Sequence, residues 1–174
     1  DAQGAQIYKL DQAGNVHETT YDTLGRAIHN RWTTAISGFD TAVRRISSTY
    51  ATDGDLELVT QWDNATVGSG SVVDEVKYTN DGWGNLTDFQ YDRDSAVGSA
   101  PTNHYTVSYS YAKSTTGRNS IRRSGVTMPS GTPLTYEYES SGSHDDALSR
   151  LTRIKQGATE LVHYEYNGGG QVVG

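Results

Sequence analysis

The sequence predicts an all-β protein of stacked antiparallel β-hairpins, and three observations carry that prediction. A turn pattern, Asp-x-x-Gly, recurs along the chain. The segments that flank these turns alternate apolar or aromatic residues with polar ones, which is typical of strands with one face against neighbouring protein. No segment has a convincing helical stripe. The best helix candidate, residues 37–49, has Phe39, Val43 and Ile46 at helical spacing, but its β-branched residues favour a strand almost as well.

The composition predicts a folded chain with thin layers and no thick apolar core. The 174 residues fit one domain and carry a net charge of −7. Val, Leu, Ile and Phe together make up only about 17% of the chain, a share at which disorder has to be considered. Twelve Tyr and three Trp supply the missing apolar area, and they suit half-buried strands. Nineteen Gly against three Pro predict many tight turns.

The repeated turn is expected to be a type I turn that ends in a left-handed glycine. A carboxylate at the first position can accept hydrogen bonds from the backbone two residues on, and glycine at the fourth position tolerates the left-handed conformation. Three copies keep the full pattern: Asp11-Gln-Ala-Gly14, Asp22-Thr-Leu-Gly25 and Asp81-Gly-Trp-Gly84. Asn167-Gly-Gly-Gly170 has an amide in place of the carboxylate, and Asp146-Ala-Leu-Ser149 resembles a decayed copy with Ser in place of Gly.

Strands and loops follow from the same pattern. Alternating segments predict strands at 7–10, 76–78, 107–111, 134–138 and 161–166. Gly/Ser-rich stretches predict loops at 68–71, 95–101 and 140–143. The chain stops within a predicted strand at 171–174, so we expect it to be a piece of a longer protein.

At this point the motifs resemble a known family. Tyr21-Asp22-Thr-Leu-Gly25-Arg26 is similar to the signature of the YD repeat, which occurs in bacterial RHS proteins, toxin-complex proteins and teneurins. The stretch Val107–Gly131, with Gly117-Arg118, is similar to the tyrosine-rich repeats of RHS proteins. The resemblance covers most of residues 7–174 and is weakest at 30–75. Its structural repeat residues are Tyr21, Asp22, Gly25, Arg26, Asp11, Gly14, Asp81, Gly84, Tyr91, Asp92, Tyr109, Tyr111, Tyr136, Tyr138, Tyr164 and Tyr166.

The resemblance implies a structural role. YD repeats form long hairpins that spiral into a hollow sheet or shell, so residues 1–174 would be one repeat segment of a large secreted or surface protein of bacteria. The segment would enclose or present a toxin or effector domain encoded elsewhere in the chain, and its partners would be neighbouring repeats of the same parent chain. Two alternatives stay open: a cell-surface adhesion or carbohydrate-binding module, and a fibre-forming repeat with open sheet edges.

The sequence offers no motif for enzymatic chemistry, so no catalytic residue, cofactor or metal ligand is predicted. Cysteine is absent, and no His spacing of the zinc type occurs among the five His. The carboxylate pairs 53/55, 74/75, 92/94 and 145/146 are better explained as turn caps or solvated groups. His144-Asp145-Asp146 is the triplet most like a metal site, but it lies in a Ser/Gly loop. Scattered Lys and Arg and the acidic balance argue against nucleic acid, and no apolar run is long enough to span a membrane.

Two side chains have further expected roles. Trp83 stands at the third position of a turn, where an indole has no core to enter, so it is the candidate contact to a surface glycan. Arg26 follows a turn and is expected to lie along the strand and pair with a carboxylate on the adjacent hairpin, with Arg118 and Arg150 in similar places. If such an arginine is buried between hairpins, its removal should be far more costly than if it is exposed.

Overall fold

The computed structural model describes residues 4–99, 104–114, 120–140 and 142–174. Within these residues the regular structure is twelve β-strands and one helix of four residues. Every strand pairing is antiparallel and joins strands that follow each other in sequence. The predicted all-β fold of antiparallel hairpins is therefore confirmed. Pro101, Gly117 and Arg118, which the sequence analysis placed in a loop and in a repeat, lie outside the described residues.

The chain divides into two compact units, residues 1–105 and 106–174. The strands of the first unit are β1 (Tyr8–Leu10), β2 (Val16–Tyr21), β3 (Ala27–Thr34), β4 (Arg45–Tyr50), β5 (Leu56–Trp62), β6 (Val72–Asn80) and β7 (Leu86–Asp92). Tight turns alternate with longer connections between them. The candidate helix at 37–49 does not form, because residues 45–49 belong to β4 and the preceding residues form a connection.

The second unit contains most of β8 (His104–Lys113), then β9 (Ile121–Thr127), β10 (Pro133–Tyr138), α1 (His144–Ala147), β11 (Leu151–Gln156) and β12 (Thr159–His163). After β12 the chain turns once more, and Tyr166 forms an antiparallel bridge with Val172. The predicted strands at 76–78, 107–111 and 134–138 are all present. The predicted strand at 161–166 ends earlier, at His163.

The register gives each unit one apolar and one polar sheet face, because directly opposed residues project on the same side. In the first unit Val59, Val76 and Tyr91 form one cross-strand row. Thr60 and Glu75 are opposed on the other face and continue to the fully buried Asp92. The alternation along each strand therefore sorts aliphatic and aromatic side chains from polar ones.

The second unit repeats this division of faces. Val126 opposes both Tyr109 and Leu134, and Ile154 opposes both Tyr136 and Val162. The opposite face carries a network of charges. Its members are Glu137, Arg153, Lys155, Glu160 and His163, and the shortest ion pair joins Lys155 Nζ to a Glu137 oxygen at 2.8 Å.

Buried side chains are mostly polar in the described residues. Val126 is the one hydrophobic residue that is buried there, whereas the buried polar set comprises Asn15, Arg45, Thr60, Glu75, Asp92, Ser114, Asp146 and Thr152. Apart from Val126, the aromatic and aliphatic side chains in the rows described for both apolar faces remain half-exposed. This agrees with the expectation of thin layers without a thick core. Because the buried side chains are mostly polar, their internal contacts are largely hydrogen bonds and not apolar packing.

The connection from β10 to β11 differs from the expected hairpin turn. Ser143 caps α1, because its hydroxyl accepts a hydrogen bond from the Asp146 N–H at 3.1 Å. Ser149 has a left-handed φ of 54°, and its N–H donates to the Asp146 carbonyl while the Arg150 N–H donates to the Asp145 carbonyl. These two bonds are the Schellman end of a helix. The segment that resembled a decayed hairpin turn is thus the end of α1.

Candidate functional site

The turn at Asp22–Arg26 shows how the repeated pattern works. The Asp22 N–H bonds the Arg26 carbonyl at 2.9 Å, and the Gly25 N–H bonds the Asp22 carbonyl at 3.1 Å. Asp22 Oδ1 accepts from the N–H groups of Leu24 and Arg26, both at 2.9 Å. Gly25 has φ of 79°, a conformation that residues with a side chain adopt at a cost. Carboxylate and glycine therefore each have the role that the sequence predicted.

The same hydrogen bonds recur at three other turns. Asp11, Asp81 and Asn167 each accept from the two N–H groups at positions three and five of the turn, at 2.9–3.0 Å. The residue after the glycine adds a side-chain contact, since Asn15 Nδ2 donates to Asp11 Oδ2 at 2.7 Å and Asn85 Nδ2 to Asp81 Oδ2 at 3.0 Å. The amide after the turn, which the sequence showed as a regularity, thus completes the cap.

These hydrogen bonds lower the pKa of the turn carboxylates. For Asp22 the largest cause is the hydrogen bond from the Arg26 main-chain N–H. For Asp11 and Asp81 it is the bond from the side-chain amide of Asn15 or Asn85. Each bond favours the ionised form, so these carboxyl groups are charged acceptors that are already in use as structural caps.

Two further turns of the same shape have no carboxylate at the first position. Ala51 N–H bonds the Asp55 carbonyl at 2.8 Å, and Gly54 N–H bonds the Ala51 carbonyl at 3.0 Å. Met128 and Gly131 make the equivalent bonds at 3.0 and 2.8 Å. The first of these turns does not match the Asp-x-x-Gly pattern, because Ala51 stands where that pattern has Asp or Asn. The glycine at the fourth position was the signal that could have found it.

An arginine and a tyrosine form a clasp beside several hairpin ends. The Arg26 guanidinium binds Asp22 Oδ2 at 2.7 and 2.8 Å and lies 4.2 Å from the centre of the Tyr50 ring. The Tyr50 hydroxyl donates to the Ala27 carbonyl at 3.1 Å, and Arg26 Nη1 reaches the Gly54 carbonyl at 3.4 Å. Arg26 thus reaches the next hairpin through the Tyr50 ring and the Gly54 carbonyl, but the carboxylate with which it pairs is Asp22 of its own turn and not, as expected, one on the adjacent hairpin.

The second unit contains two more clasps of this kind. Arg122 lies 4.4 Å from the Tyr138 ring, and that hydroxyl donates to the Arg123 carbonyl at 2.8 Å. Arg150 lies 5.3 Å from the Tyr166 ring, whose hydroxyl donates to the Leu151 carbonyl at 2.7 Å. In every case the accepting carbonyl belongs to the residue just after the arginine. Burial raises the pKa of Tyr138, which keeps its hydroxyl protonated as a donor.

Each clasp arginine also pairs with a carboxylate. Arg122 Nη2 lies 2.5 Å from Asp146 Oδ1, and both side chains are almost completely buried. Arg150 Nη1 lies 2.8 Å from Asp145 Oδ1. The acidic pair next to His144 is thus used in two ion pairs. Arg150 pairs with a carboxylate of the connection just before it and not, as expected, with one on the adjacent hairpin. Arg122 holds a clasp position that no sequence motif indicated.

One position of the first unit replaces the clasp with a different pair. Asp55 comes directly after the glycine of its turn, which is the position that Arg26 has in its own turn. Asn80 is the last residue of β6, as Tyr50 is the last residue of β4. Asn80 Nδ2 donates to Asp55 Oδ2 at 2.9 Å, so an amide–carboxylate bond stands where the arginine and the ring would meet. Tyr21 makes the same kind of hydroxyl bond as the clasp tyrosines, because its hydroxyl donates to the Gln6 carbonyl at 3.0 Å.

The remaining predicted repeat residues lie on strands and outside the tight turns, except Tyr164, which follows β12. Tyr91 and Asp92 end β7, but a longer connection follows them and not a tight turn. Burial would raise the pKa of Asp92, yet hydrogen bonds from Ser95 and Asp94 hold it below its usual value. The Arg123 guanidinium lies 4.5 Å from the Tyr109 ring and 5.9 Å from the Tyr111 ring. Tyr136 projects from β10 on the apolar face, whereas Tyr164 follows β12 and its N–H bonds the Thr152 carbonyl at 2.8 Å.

Single buried polar side chains hold the longer connections of the first unit. Asn15 Oδ1 accepts from the Ile36 N–H at 3.0 Å. Arg45 donates to carbonyls in the connection 63–71, including those of Asn64 at 3.0 Å and Ser69 at 3.2 Å. Glu75 accepts from the Thr60 hydroxyl at 2.7 Å and from the Val97 N–H at 2.9 Å. No sequence motif indicates these contacts, because each joins residues that are about 15–24 positions apart.

Trp83 occupies the exposed turn position that was expected, with 80% of its surface accessible. Trp32 and Trp62 are half-buried. Trp62 lies against Arg45, and Trp32 stacks on His17 with ring centroids 5.4 Å apart. Of the three indoles, Trp83 alone projects freely from a turn.

Two observations concern metals and membranes. In the described residues no group of three or more His, Asp or Glu side chains is placed to hold a metal ion. No helix there is long and apolar enough to cross a membrane.

Comparison with known proteins leaves the family open. Neither the protein-family models nor the curated proteins contain a match to the chain.

Proposed function

We propose that the chain is a structural YD-repeat segment of a large RHS-type protein, secreted or displayed on the surface of a bacterium. Its work is to enclose or present a toxin or effector domain that is encoded elsewhere in the same parent chain. The observation that carries this proposal is the clasp beside the hairpin ends. At Arg26 it combines a capped turn, a left-handed glycine, the arginine and a tyrosine hydroxyl. The arginine–tyrosine contact and the hydroxyl bond recur at Arg122 and Arg150.

The clasp supports a scaffold role because it joins one hairpin to the next. Arg26 leaves its own turn and reaches both the ring of Tyr50 and the carbonyl of Gly54, which belong to the following hairpin. A device of this kind can be repeated for every added hairpin, as in repeat proteins in which each unit contacts its neighbours. The clasps use Asp22, Asp145 and Asp146 as partners of their arginines, and we propose no enzymatic role.

The two apolar faces also support a role within a larger assembly. The rows through Val76 and Ile154 consist of aliphatic and aromatic residues that are only half-buried. A hairpin sheet with one uncovered apolar face gains stability when another layer covers it. Neighbouring repeats of the parent chain and an enclosed domain are the partners that this proposal assigns to those faces.

The proposal is tested with the 174-residue chain produced alone. Circular dichroism, light scattering after size exclusion and binding of a hydrophobic dye would be measured together. We expect a β-sheet signal with strong dye binding or self-association, because the apolar faces lack their partners. A compact monomer that binds no dye would overturn the scaffold proposal and favour a self-contained module.

An adhesive or carbohydrate-binding module is the second candidate, and exposed turn tips favour it. Trp83 and Leu24 occupy the same position in two turns and are 80% and 75% exposed. Indole rings on turn tips are suited to stacking on sugars or on a partner surface. Adhesion of the chain to cells that is abolished by Trp83→Ala, with Leu24→Ala as a comparison, would support this candidate over the scaffold.

A further inference from the structure

We propose that the first unit binds a calcium ion where β7 ends, with Asp92 and Glu75 as its charged ligands. This site goes beyond the scaffold role and does not depend on it. Glu75 and Asp92 are directly opposed on β6 and β7, so their side chains project on the same face of the sheet. Glu75 is 7% exposed, and Asp92 has no exposed surface. Two carboxylates therefore share one buried place at the start of the connection that follows β7.

One oxygen of Asp92 lacks a partner. Asp92 Oδ1 accepts a hydrogen bond from the Asp94 N–H at 3.3 Å, whereas Oδ2 is buried and accepts none from the residues that the structure describes. Buried polar atoms are usually paired, and leaving an acceptor of a charged group unpaired is costly. Asp92 belongs to a carboxylate pair that the sequence explains as a turn cap or as solvated groups. Its Oδ1 fits the first explanation, but its Oδ2 fits neither.

The two carboxylates are not neutralised by a cation of the chain. In the described ranges no ion pair involves Asp92 or Glu75. Glu75 accepts from neutral donors, the Thr60 hydroxyl at 2.7 Å and the Val97 N–H at 2.9 Å. Opposed residues have Cβ atoms roughly 5 Å apart, so two buried anions at this separation repel each other. A cation bound between them would remove that repulsion and pair Asp92 Oδ2.

The connection that follows β5 has a positive charge in the equivalent place. Arg45 opposes Trp62, the last residue of β5, in the way that Glu75 opposes the last residue of β7. Arg45 is 2% exposed, and its guanidinium donates to main-chain carbonyls of the connection 63–71. The chain thus surrounds a buried cation with carbonyl oxygens at this point of the fold. After β7 a carboxylate takes the position of the arginine, and a bound ion would supply the positive charge.

The two connections also contain the same turn. Val-Gly-Ser occurs at 67–69 and at 97–99, and the two glycines are left-handed, with φ of 83° and 84°. In both turns the serine N–H donates to the carbonyl three residues before it, at 3.1 and 2.9 Å. This shared turn supports the comparison between the connections, so main-chain carbonyls of residues 93–99 are neutral ligands that the proposal assigns.

The available oxygens suit calcium better than magnesium. Calcium takes roughly six to eight oxygen ligands in a flexible geometry, and carboxylates, carbonyls and water can be combined. Each Glu75 oxygen accepts one hydrogen bond and has a further lone pair for a metal ion. The Ser95 hydroxyl is buried close to Asp92 and adds a neutral oxygen. Magnesium requires a stricter octahedral geometry and usually keeps several waters, which a buried site with two carboxylates does not favour.

Binding is tested on the whole chain with calcium chloride, after EDTA has removed bound metals. Calorimetry should give a dissociation constant on the order of 0.1–1 mM, as in calcium modules of extracellular proteins. About 10 mM calcium should raise the melting temperature by roughly 3–11 °C, because only the folded chain binds the ion. The same concentration of magnesium should raise it by less than about a third of that amount. NMR should place the amide shifts in residues 92–97.

Two variants locate the site. Asp92→Asn keeps the shape and removes one charge, so it should weaken calcium binding by about tenfold or more and abolish the rise in melting temperature. Without calcium this variant should be at least as stable as the unchanged chain, because the repulsion with Glu75 is gone. Glu57→Gln, which removes a charge from an exposed position of β5, should leave the affinity within about twofold.

Four results would each overturn the proposal: no binding of calcium, an equal effect of magnesium, unchanged binding by Asp92→Asn, and NMR shifts centred on residues 144–146. The first two are measured on the unchanged chain, so the test stays decisive if a variant fails to fold. Dye binding and self-association test the scaffold role without calcium, and the failure of one proposal is therefore distinguishable from the failure of the other.

Discussion

Arg122→Met should destabilise the second unit by about 3–5 kcal/mol, because it removes the partner of a buried carboxylate. The Asp146 side chain has no exposed surface, and that of Arg122 is 10% exposed. Asp146 Oδ2 also accepts a hydrogen bond of 3.4 Å from the Gly142 N–H, which is longer than the 2.5 Å contact between Arg122 Nη2 and Asp146 Oδ1. The variant also loses the stacking of the guanidinium on Tyr138 at 4.4 Å. Methionine preserves much of the volume, so the loss reports on charge and hydrogen bonding.

Urea denaturation measures the free energy of unfolding. Amide hydrogen exchange on the same variant then tests whether the loss of stability is located in strands β9 and β11. A loss of 3 kcal/mol corresponds to a fall in melting temperature of roughly 6–12 °C for a chain of this size. The matched control is Glu137→Gln. Glu137 pairs with Arg153 at 3.9 Å and with Lys155 at 2.8 Å, and its side chain is 35% exposed. Because water screens these pairs, the control should cost less than about 1 kcal/mol.

A double variant separates a stranded charge from a lost contact. Arg122→Met combined with Asp146→Leu replaces both partners by apolar groups, which is often close to neutral for a buried pair. The double variant should therefore be more stable than Arg122→Met alone. Two results would contradict this reasoning. The first is that Arg122→Met lowers the free energy of unfolding no more than Glu137→Gln does, and the second is that the double variant is less stable than Arg122→Met alone. Either result would mean that the Arg122–Asp146 ion pair does not stabilise the second unit.

Four smaller effects follow from the same contacts. Gly25→Ala should cost about 1–2 kcal/mol in urea unfolding because of its left-handed φ of 79°, whereas Gly82→Ala, at a turn position without a positive φ and with open space, should change stability by less than about 0.5 kcal/mol. Tyr166→Phe removes a hydroxyl bond of 2.7 Å and should cost about 0.5–1.5 kcal/mol by the same assay; no change would show that the ring alone matters. Burial and two nearby arginines hold the pKa of His29 below its ordinary 6.5, so stability should fall as the pH drops through that value, and His29→Gln should flatten the slope; an NMR midpoint above 6.5 would contradict this. The lowered pKa of Asp22 stabilises the fold above the ordinary value of 3.8, and this contribution should be lost as the pH falls below it and be missing from Asp22→Asn in an acid titration.

The local parts of the fold could be predicted because their signals lie close together in sequence. Asp22 and Gly25 are three positions apart, and the hydrogen bonds between them depend only on the backbone of one turn. The alternation in β8 and β10 likewise fixes which side chains share a face. Ser149 shows the limit of this approach. It stands where the pattern has its glycine and is itself left-handed, but the bonds it makes end a helix and do not close a hairpin.

The clasps and anchors could not be predicted because their partners are far apart. Arg26 meets Tyr50 across 24 positions, and the sequence does not state which strand lies next to which. Nothing in the sequence around Arg45 indicates that this side chain is 2% exposed or that it donates to the carbonyls of the connection 63–71. The pairing of successive strands is the information that the sequence lacks, because it determines which distant residues are neighbours in space. Once the register is known, a long side chain at the start of one strand and an aromatic ring at the end of the next are neighbours.

The balance of buried groups indicates how such a sheet keeps a defined register with little apolar core. Hydrophobic contacts are non-directional, and a sheet with half-exposed faces has few of them to prevent slippage. Buried polar groups are directional, and a one-residue slip would separate Arg122 from Asp146 or Thr60 from Glu75 and leave charges unpaired. The clasps therefore act first on the alignment of hairpins and only second on stability. A scaffold that adds hairpins one after another needs that alignment, because an error at one hairpin would displace every hairpin that follows.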